Sequence, residues 1–257
     1  MLPVSWSHAV LLFAAGIIGG LTGSIAGLAS VSTYPALLLV GLPPVTANVT
    51  NTVALVFNGV GSVLGSRPEL AGQGAALRRM LPFAVLGGVT GAALLLSTPA
   101  EGFEKIVPLL LGFASLAIVL PVRPRADPAL ASRRRQTAAA ALQGLAVLAI
   151  CIYGGYFGAA AGVVLLALFL RLGGETLAHA NAGKNVILGV ANGVAALVFA
   201  AVAPVQWAAV LVLGAGCLLG SRLGPVVVRH TPDTPMRIAI AAAGLALAVK
   251  LGVDAYR

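Results

Sequence analysis

Apolar residues run along this chain in long stretches with short polar breaks between them. Stretches at residues 8–29, 45–65, 79–97, 104–121, 137–160, 179–202, 205–221 and 236–252 approach or exceed the roughly 20 residues that an α-helix needs to cross about 30 Å of hydrocarbon. Two shorter runs, 33–42 and 163–172, follow the first and fifth long ones. Ten helical residues reach about 15 Å, half that thickness. The pattern predicts an all-α polytopic membrane protein with about eight full transmembrane helices and two short half-crossing or re-entrant helices. Pro43-Pro44 breaks the chain ahead of the third segment. Thr98-Pro-Ala-Glu101 reads as a capping box with proline at the first helical position.

The pattern occurs twice. Gly19, Gly20, Gly23 and Gly27 match Gly154, Gly155, Gly158 and Gly162 at an offset of 135 residues. Asn51, Asn58 and Gly59 match Asn185, Asn192 and Gly193 at an offset of 134. Glycines alone recur in packed membrane helices, but the asparagines follow in the same order and point to a duplication. Each half reads long, short, long, long, long. Five passes is an odd number, so the second half enters the membrane from the opposite side. Two inverted-topology repeats are the arrangement of many secondary transporters. Residues 1–121 form the first repeat and 137–257 the second, joined by an Arg- and Pro-rich linker at 122–136.

Composition narrows the class. The chain is 59% hydrophobic and 9% charged, with a mean hydropathy of +1.01. A soluble domain is about one quarter charged, so water-soluble enzymes and nucleic-acid modules are excluded. The net charge of +9 is concentrated in short breaks: Arg67, Arg78 and Arg79; Arg123, Arg125 and Arg133 to Arg135; Arg171; Arg222, Arg229 and Arg237. If both short runs return the chain, all of these fall on one face. The positive-inside rule then puts that face in the cytoplasm and both termini outside, as for a multi-pass protein of a bacterial inner membrane. Aromatics are only 5%, so no nucleic-acid partner is expected. The partners are the lipid bilayer and a small solute. Cys151 and Cys217 lie inside apolar runs and read as buried hydrophobes. No phosphate-binding loop, metal-spaced Cys/His cluster or nucleophile–base pair stands out, so neither enzyme chemistry nor a metal or other cofactor is expected.

The candidate chemistry is polar groups in lipid. Inverted-repeat transporters bind substrate near the midplane, at interrupted helices whose termini attract ions. The breaks here follow the glycine sets, with Gly23, Gly27, Gly158 and Gly162 as candidate hinges. Candidate binding residues are Ser24, Asn48, Thr50, Asn51 and Asn58 in the first half, and Lys184, Asn185 and Asn192 in the second. Lys184 is a cation inside a span with no acidic residue at matching depth, and an anionic substrate would be its partner. Snorkelling to the interface is the alternative for Lys184, and helix–helix packing is the alternative for the asparagines. Glu175 and His179, four residues apart, could relay protons or simply cap a helix end.

These motifs resemble the sulfite exporter TauE/SafE family, also called the sulfonate uptake permease family. The likeness is carried by Gly19-Gly20, Gly23, Gly27 and the short Pro35-containing run, then Asn48, Asn51 and Asn58-Gly59. The second half carries Gly154-Gly155, Gly158 and Gly162, then Asn181, Lys184-Asn185 and Asn192-Gly193. The resemblance implies a bacterial inner-membrane secondary transporter for sulfite, sulfoacetate or another organosulfonate, with Asn51, Lys184 and Asn185 on the segments where the family's site is expected. A carrier of another small anion such as a carboxylate, and a passive anion channel, are the alternatives.

Overall fold

A computed structural model describes residues 6–97, 116, 133–157, 161–173 and 176–256. These residues contain nine helices: α1 (Trp6–Ala26), α2 (Ser30–Leu39), α3 (Pro44–Gly65), α4 (Gly74–Ser97), α5 (Arg133–Phe157), α6 (Ala161–Gly173), α7 (Leu177–Val202), α8 (Trp207–His230) and α9 (Asp233–Tyr256). No strand occurs among them. The run at 104–121, the capping box at 98–101 and residues 122–132 of the linker lie outside the described residues. Two expected breaks are helical instead. Helix α8 continues through Arg222 and Arg229 to His230, and α4 begins at Gly74, ahead of Arg78 and Arg79. The arginines ended the apolar runs without ending the helices, because a helix can project beyond hydrocarbon with its charged turns in water.

Five helices, α1, α4, α5, α7 and α8, are long and apolar enough to cross a membrane. Helix α3 is more polar for a structural reason. Every residue from Ala47 to Leu55 is buried, so its Asn and Thr side chains face protein rather than lipid.

The close contacts fix the helix directions. Phe13 and Ile17 of α1 back onto Gly216 and Gly220 of α8, and Ser24 onto Gly224, so α1 and α8 run parallel. Phe57, Gly61 and Gly65 of α3 meet Gly214, Leu218 and Arg222 of α8, so α3 shares that direction. Helices α4 and α5 are parallel to each other, through Phe83 with Gly144, Gly87 with Cys151 and Gly91 with Ile152. Gln73 beside His179 and Gly88 against Ala191 align α7 with α4. Helices α3 and α7 are antiparallel: Gly59 meets Gly189, and Ser66 meets Asn185.

Because α1 and α3 point the same way, α2 must carry the chain back between them. Its ten residues end at Gly41, which takes φ +88°. There Gly41 N–H donates to Leu38 O and Leu42 N–H to Leu37 O, a Schellman stop just before Pro43-Pro44. Gly27, at φ +76°, ends α1 in the same left-handed way. In the second half, α6 returns the chain between α5 and α7. The contacts are exchanged between halves. Helix α1 packs on α8 as α5 packs on α4, and Ile17 with Gly220 corresponds to Ile152 with Gly91. Small residues on all four helices allow these close approaches.

Contacts of Glu69 with Arg229, Gln73 with His179, and both Gln73 and Phe169 with Gly183 gather the 66–73 turn, the end of α6, the start of α7 and the end of α8 at one end of the bundle. Arg67, Arg171 and Arg229 all lie at this end.

Candidate functional site

The two hairpins meet tip to tip. Gly27 closes α1 and Gly162 opens α6, and their backbones touch with no room for a Cβ on either. Sequence pairing makes these two glycines counterparts. Gly23 packs against Ala29 across the α1–α2 turn. Gly158 lies outside the described residues.

Beside this contact, between α3 and α7, is a cavity of about 30 Å³, room for about two waters. Its lining includes Gly23, Gly27, Asn58, Ser62, Asn185 and Asn192. The Asn58 and Asn192 Oδ1 atoms and the Ser62 hydroxyl are buried without a hydrogen-bond partner. Orphaned polar groups in a dry interior cost free energy, so their collection around one hollow is the chemical signature of this region. The asparagines reach it because Asn58 on α3 and Asn185 and Asn192 on α7 sit where the two antiparallel helices cross at Gly59 and Gly189. Helix α2 begins beside the same hollow. Ala29 lines it at the N-cap; the Val31 and Ser32 amides already donate to Leu28 O and Ala29 O, so the cavity meets the positive dipole of a short helix start and no free amide is shown there.

Lys184 lies behind the wall of this cavity. It is fully buried, and its Nζ donates to the carbonyls of Gly23 and Ser24, both at 3.2 Å. Asn181 Nδ2 donates to the same Ser24 carbonyl at 2.9 Å. These are last-turn carbonyls of α1, where the helix dipole is negative. Asn181 and Lys184 are one turn apart on α7 and together cap the broken end of α1. The second half carries a lighter version, in which Asn48 Nδ2 donates to the Tyr156 carbonyl near the end of α5, at 3.4 Å. Thr50 stands where Lys184 stands in the other half, so the matching position there brings no charge.

Other candidates face elsewhere. Asn51 Nδ2 donates to Ser30 Oγ at 3.0 Å, tying α3 to the start of α2, and its Oδ1 is a further orphan. Asn185 Nδ2 donates to Ser66 Oγ at 3.3 Å. The Ser24 hydroxyl donates to Leu21 O and packs on Gly224 of α8, so only its carbonyl takes part in the capping. Thr50 Oγ1 accepts from Gln206 N–H at 3.1 Å, at the start of α8. His179 is exposed at the first turn of α7, its Nδ1 2.8 Å from Thr176 Oγ1, the N-cap residue. Glu175 lies outside the described residues.

Reading the sequence for site residues passed over Ser62, Ser66 and Glu69. The first two are serines in an apolar helix or at its end, common enough to carry no signal. Glu69 is buried at the basic end and makes a two-pronged ion pair with Arg229, whose Nη2 also reaches Gly65 O. The Arg229 guanidinium holds the Glu69 carboxyl below the ordinary carboxylate value. A lone Glu in a polar turn does not announce a partner 160 residues away. Among the described residues no group of His, Cys, Asp and Glu could hold a metal ion.

The comparisons with known proteins agree on class. A family model described as sulfite exporter TauE/SafE matches residues 9–251. The chain is 30% identical over 246 residues to the probable membrane transporter protein ORF9 of Sinorhizobium sp, covering 95% of this chain and 92% of that one. It is 26% identical over 248 residues to the probable membrane transporter protein YfcA of Escherichia coli K12, covering 96% and 90%. A probable membrane transporter protein of Haemophilus influenzae is 26% identical over 245 residues, covering 95% and 94%.

Proposed function

The chain belongs to the sulfite exporter TauE/SafE family of membrane transporters, and we propose that it carries a small sulfur-containing anion, sulfite or an organosulfonate, across the cytoplasmic membrane by alternating access. The observation that carries this reading is the cavity between α3 and α7, which the Asn58, Asn185 and Asn192 side chains, the Ser62 hydroxyl and the N-cap residue of α2 all line. Amides and hydroxyls can donate to sulfonate oxygens, and a helix N-terminus favours negative charge. The end of α1 would by itself oppose an anion there. Lys184 and Asn181 on its last carbonyls offset that field.

The same geometry supports alternating access. The contacts exchanged between halves, with α3 antiparallel to α7, support two inverted repeats folded around the Gly27–Gly162 contact. A hollow of about 30 Å³ is too small for a sulfonate. Loading therefore requires one hairpin and its supporting helices to swing away from the other half, opening the hollow to one side at a time. In this reading Asn58, Asn185, Asn192 and Ser62 contact the anion, Asn51 holds the α2 start in place, and Lys184 acts through the α1 end.

The test is sulfite flux into proteoliposomes holding the purified protein, with unlabelled sulfonates and carboxylates as competitors. Saturable flux inhibited by sulfonates supports the reading. Flux that carboxylates alone inhibit, or that never saturates, replaces it with a carboxylate carrier or a channel.

A further inference from the structure

A broken helix in a secondary transporter presents its C-terminal carbonyls as a seat for a cation, commonly a coupling Na⁺ or proton. The α1 carbonyls of Gly23 and Ser24 form such a seat here, and it is taken by a side chain of the protein itself. Lys184 Nζ is 3.2 Å from both oxygens, is fully buried, and has no carboxylate partner among the described residues. A charge stripped of water in this way is retained only where fixed dipoles replace its hydration, and two helix-end carbonyls supply them.

We infer that Lys184 is a tethered counter-cation, filling the seat that an inorganic cation would otherwise occupy, so that anion transport by this protein needs no Na⁺ or K⁺. The proposal rests on the reading of the chain as an anion carrier and adds what sets its ion requirement. The two halves support it by their difference. At the end of α5, Asn48 donates to the Tyr156 carbonyl and Thr50 stands in the place of the lysine. The position beside the α1 end therefore carries a cation, and its counterpart beside the α5 end carries a threonine. The tether also holds α7 of the second half to the hinge of the first, so the charge travels with the two halves and does not leave with the solute.

Lys184→Ala deletes three methylenes and an ammonium, which is propylammonium with its first carbon freed. Two readouts follow on wild type and variant. The first is thermal unfolding of the purified protein in NaCl, in choline chloride and in propylammonium chloride, which does not depend on knowing the substrate. The second is anion flux with Na⁺ and K⁺ replaced by N-methylglucamine. The expected result is a wild type indifferent to all these cations in both readouts. The Ala variant should melt lower in choline and recover with propylammonium or Na⁺, with flux returning in parallel. Lys184→Met, which fills the volume without charge, should show no recovery, and it serves if the Ala variant fails to fold. A wild type whose flux needs Na⁺ overturns the proposal, as does an Ala variant whose melting ignores every cation. If no sulfite or sulfonate flux is found at all, the transport reading fails while the melting comparison still decides the tether.

Discussion

Gly27 and Gly162 touch backbone to backbone and hold matching places in two glycine sets 135 residues apart. Neither can carry a side chain, and Gly27 also sits at φ +76°. Gly162→Ala should therefore push the two hairpin tips apart and destabilise the fold by about 1–3 kcal/mol, the usual cost of overpacking. Gly193→Ala is the control, because no atom lies within 4 Å of a Cβ there. That substitution should be neutral or gain up to about 1 kcal/mol in helix propensity. Denaturation of both variants in the same detergent tests the difference. Equal stabilities would mean that the tips do not bear on each other.

Asn192 and Asn181 lie on one helix and should fail in opposite ways. Asn192 Oδ1 has no partner to lose, so Asn192→Ala should leave melting almost unchanged while raising the KM for the anion about tenfold, worth about 1.4 kcal/mol. Asn181 Nδ2 shares the Ser24 carbonyl with Lys184 Nζ, and Asn181→Ala should cost about 1 kcal/mol of stability by removing one of its two donors. The pair of measurements separates residues that wait for a ligand from residues that serve the fold. An Asn192 variant with wild-type transport would remove the cavity from the mechanism.

The Glu69–Arg229 pair sets a pH dependence. Arg229 holds the folded carboxyl below the ordinary carboxylate value that it has in the unfolded chain. A depressed folded value means stability that is present above the unfolded pKa and is lost as pH falls through the folded one. Glu69→Gln should lower stability by about 1–2 kcal/mol at neutral pH, in the range for hydrogen bonds to charged groups. It should also flatten the acid limb below about pH 4.5 relative to wild type. Parallel acid limbs in the two proteins would show that the pair contributes nothing.

Much of this architecture was readable before any coordinates. Apolar run length placed α1, α3, α4, α5 and α7 to within a few residues, because hydrocarbon thickness dictates span length directly. The glycine and asparagine spacing located both hairpin tips. Helix α8 was read too short because its end is an amphipathic turn carrying Arg222 and Arg229, where hydropathy falls but hydrogen bonding continues. The site was legible in its residue types and not in its wiring. Lys184 stood out as a charge in a span, yet its partners are backbone carbonyls, which no sequence displays. Ser24 looked like a donor to a ligand and donates its hydroxyl to Leu21 O instead, while the Thr50 hydroxyl oxygen accepts from the Gln206 amide.

Helix direction gives the last prediction. Positions 67 and 204 each lie two residues beyond the end of the central helix of their half, α3 or α7. Because α3 and α7 run antiparallel, inverted repeats place these two positions on opposite sides of the membrane, whereas parallel repeats would place them on one. Cys151 and Cys217 are fully buried, so an impermeant maleimide should leave the wild-type protein unlabelled and provide a clean background. Arg67 and Pro204 are both exposed, and a cysteine at either should react without disturbing the core. In intact cells the Pro204→Cys variant should label from outside. Arg67→Cys should label only after the membrane is opened, since the arginine-rich end belongs in the cytoplasm. Labelling of both from the same side would refute the inverted arrangement and, with it, the alternating exposure of the cavity between α3 and α7.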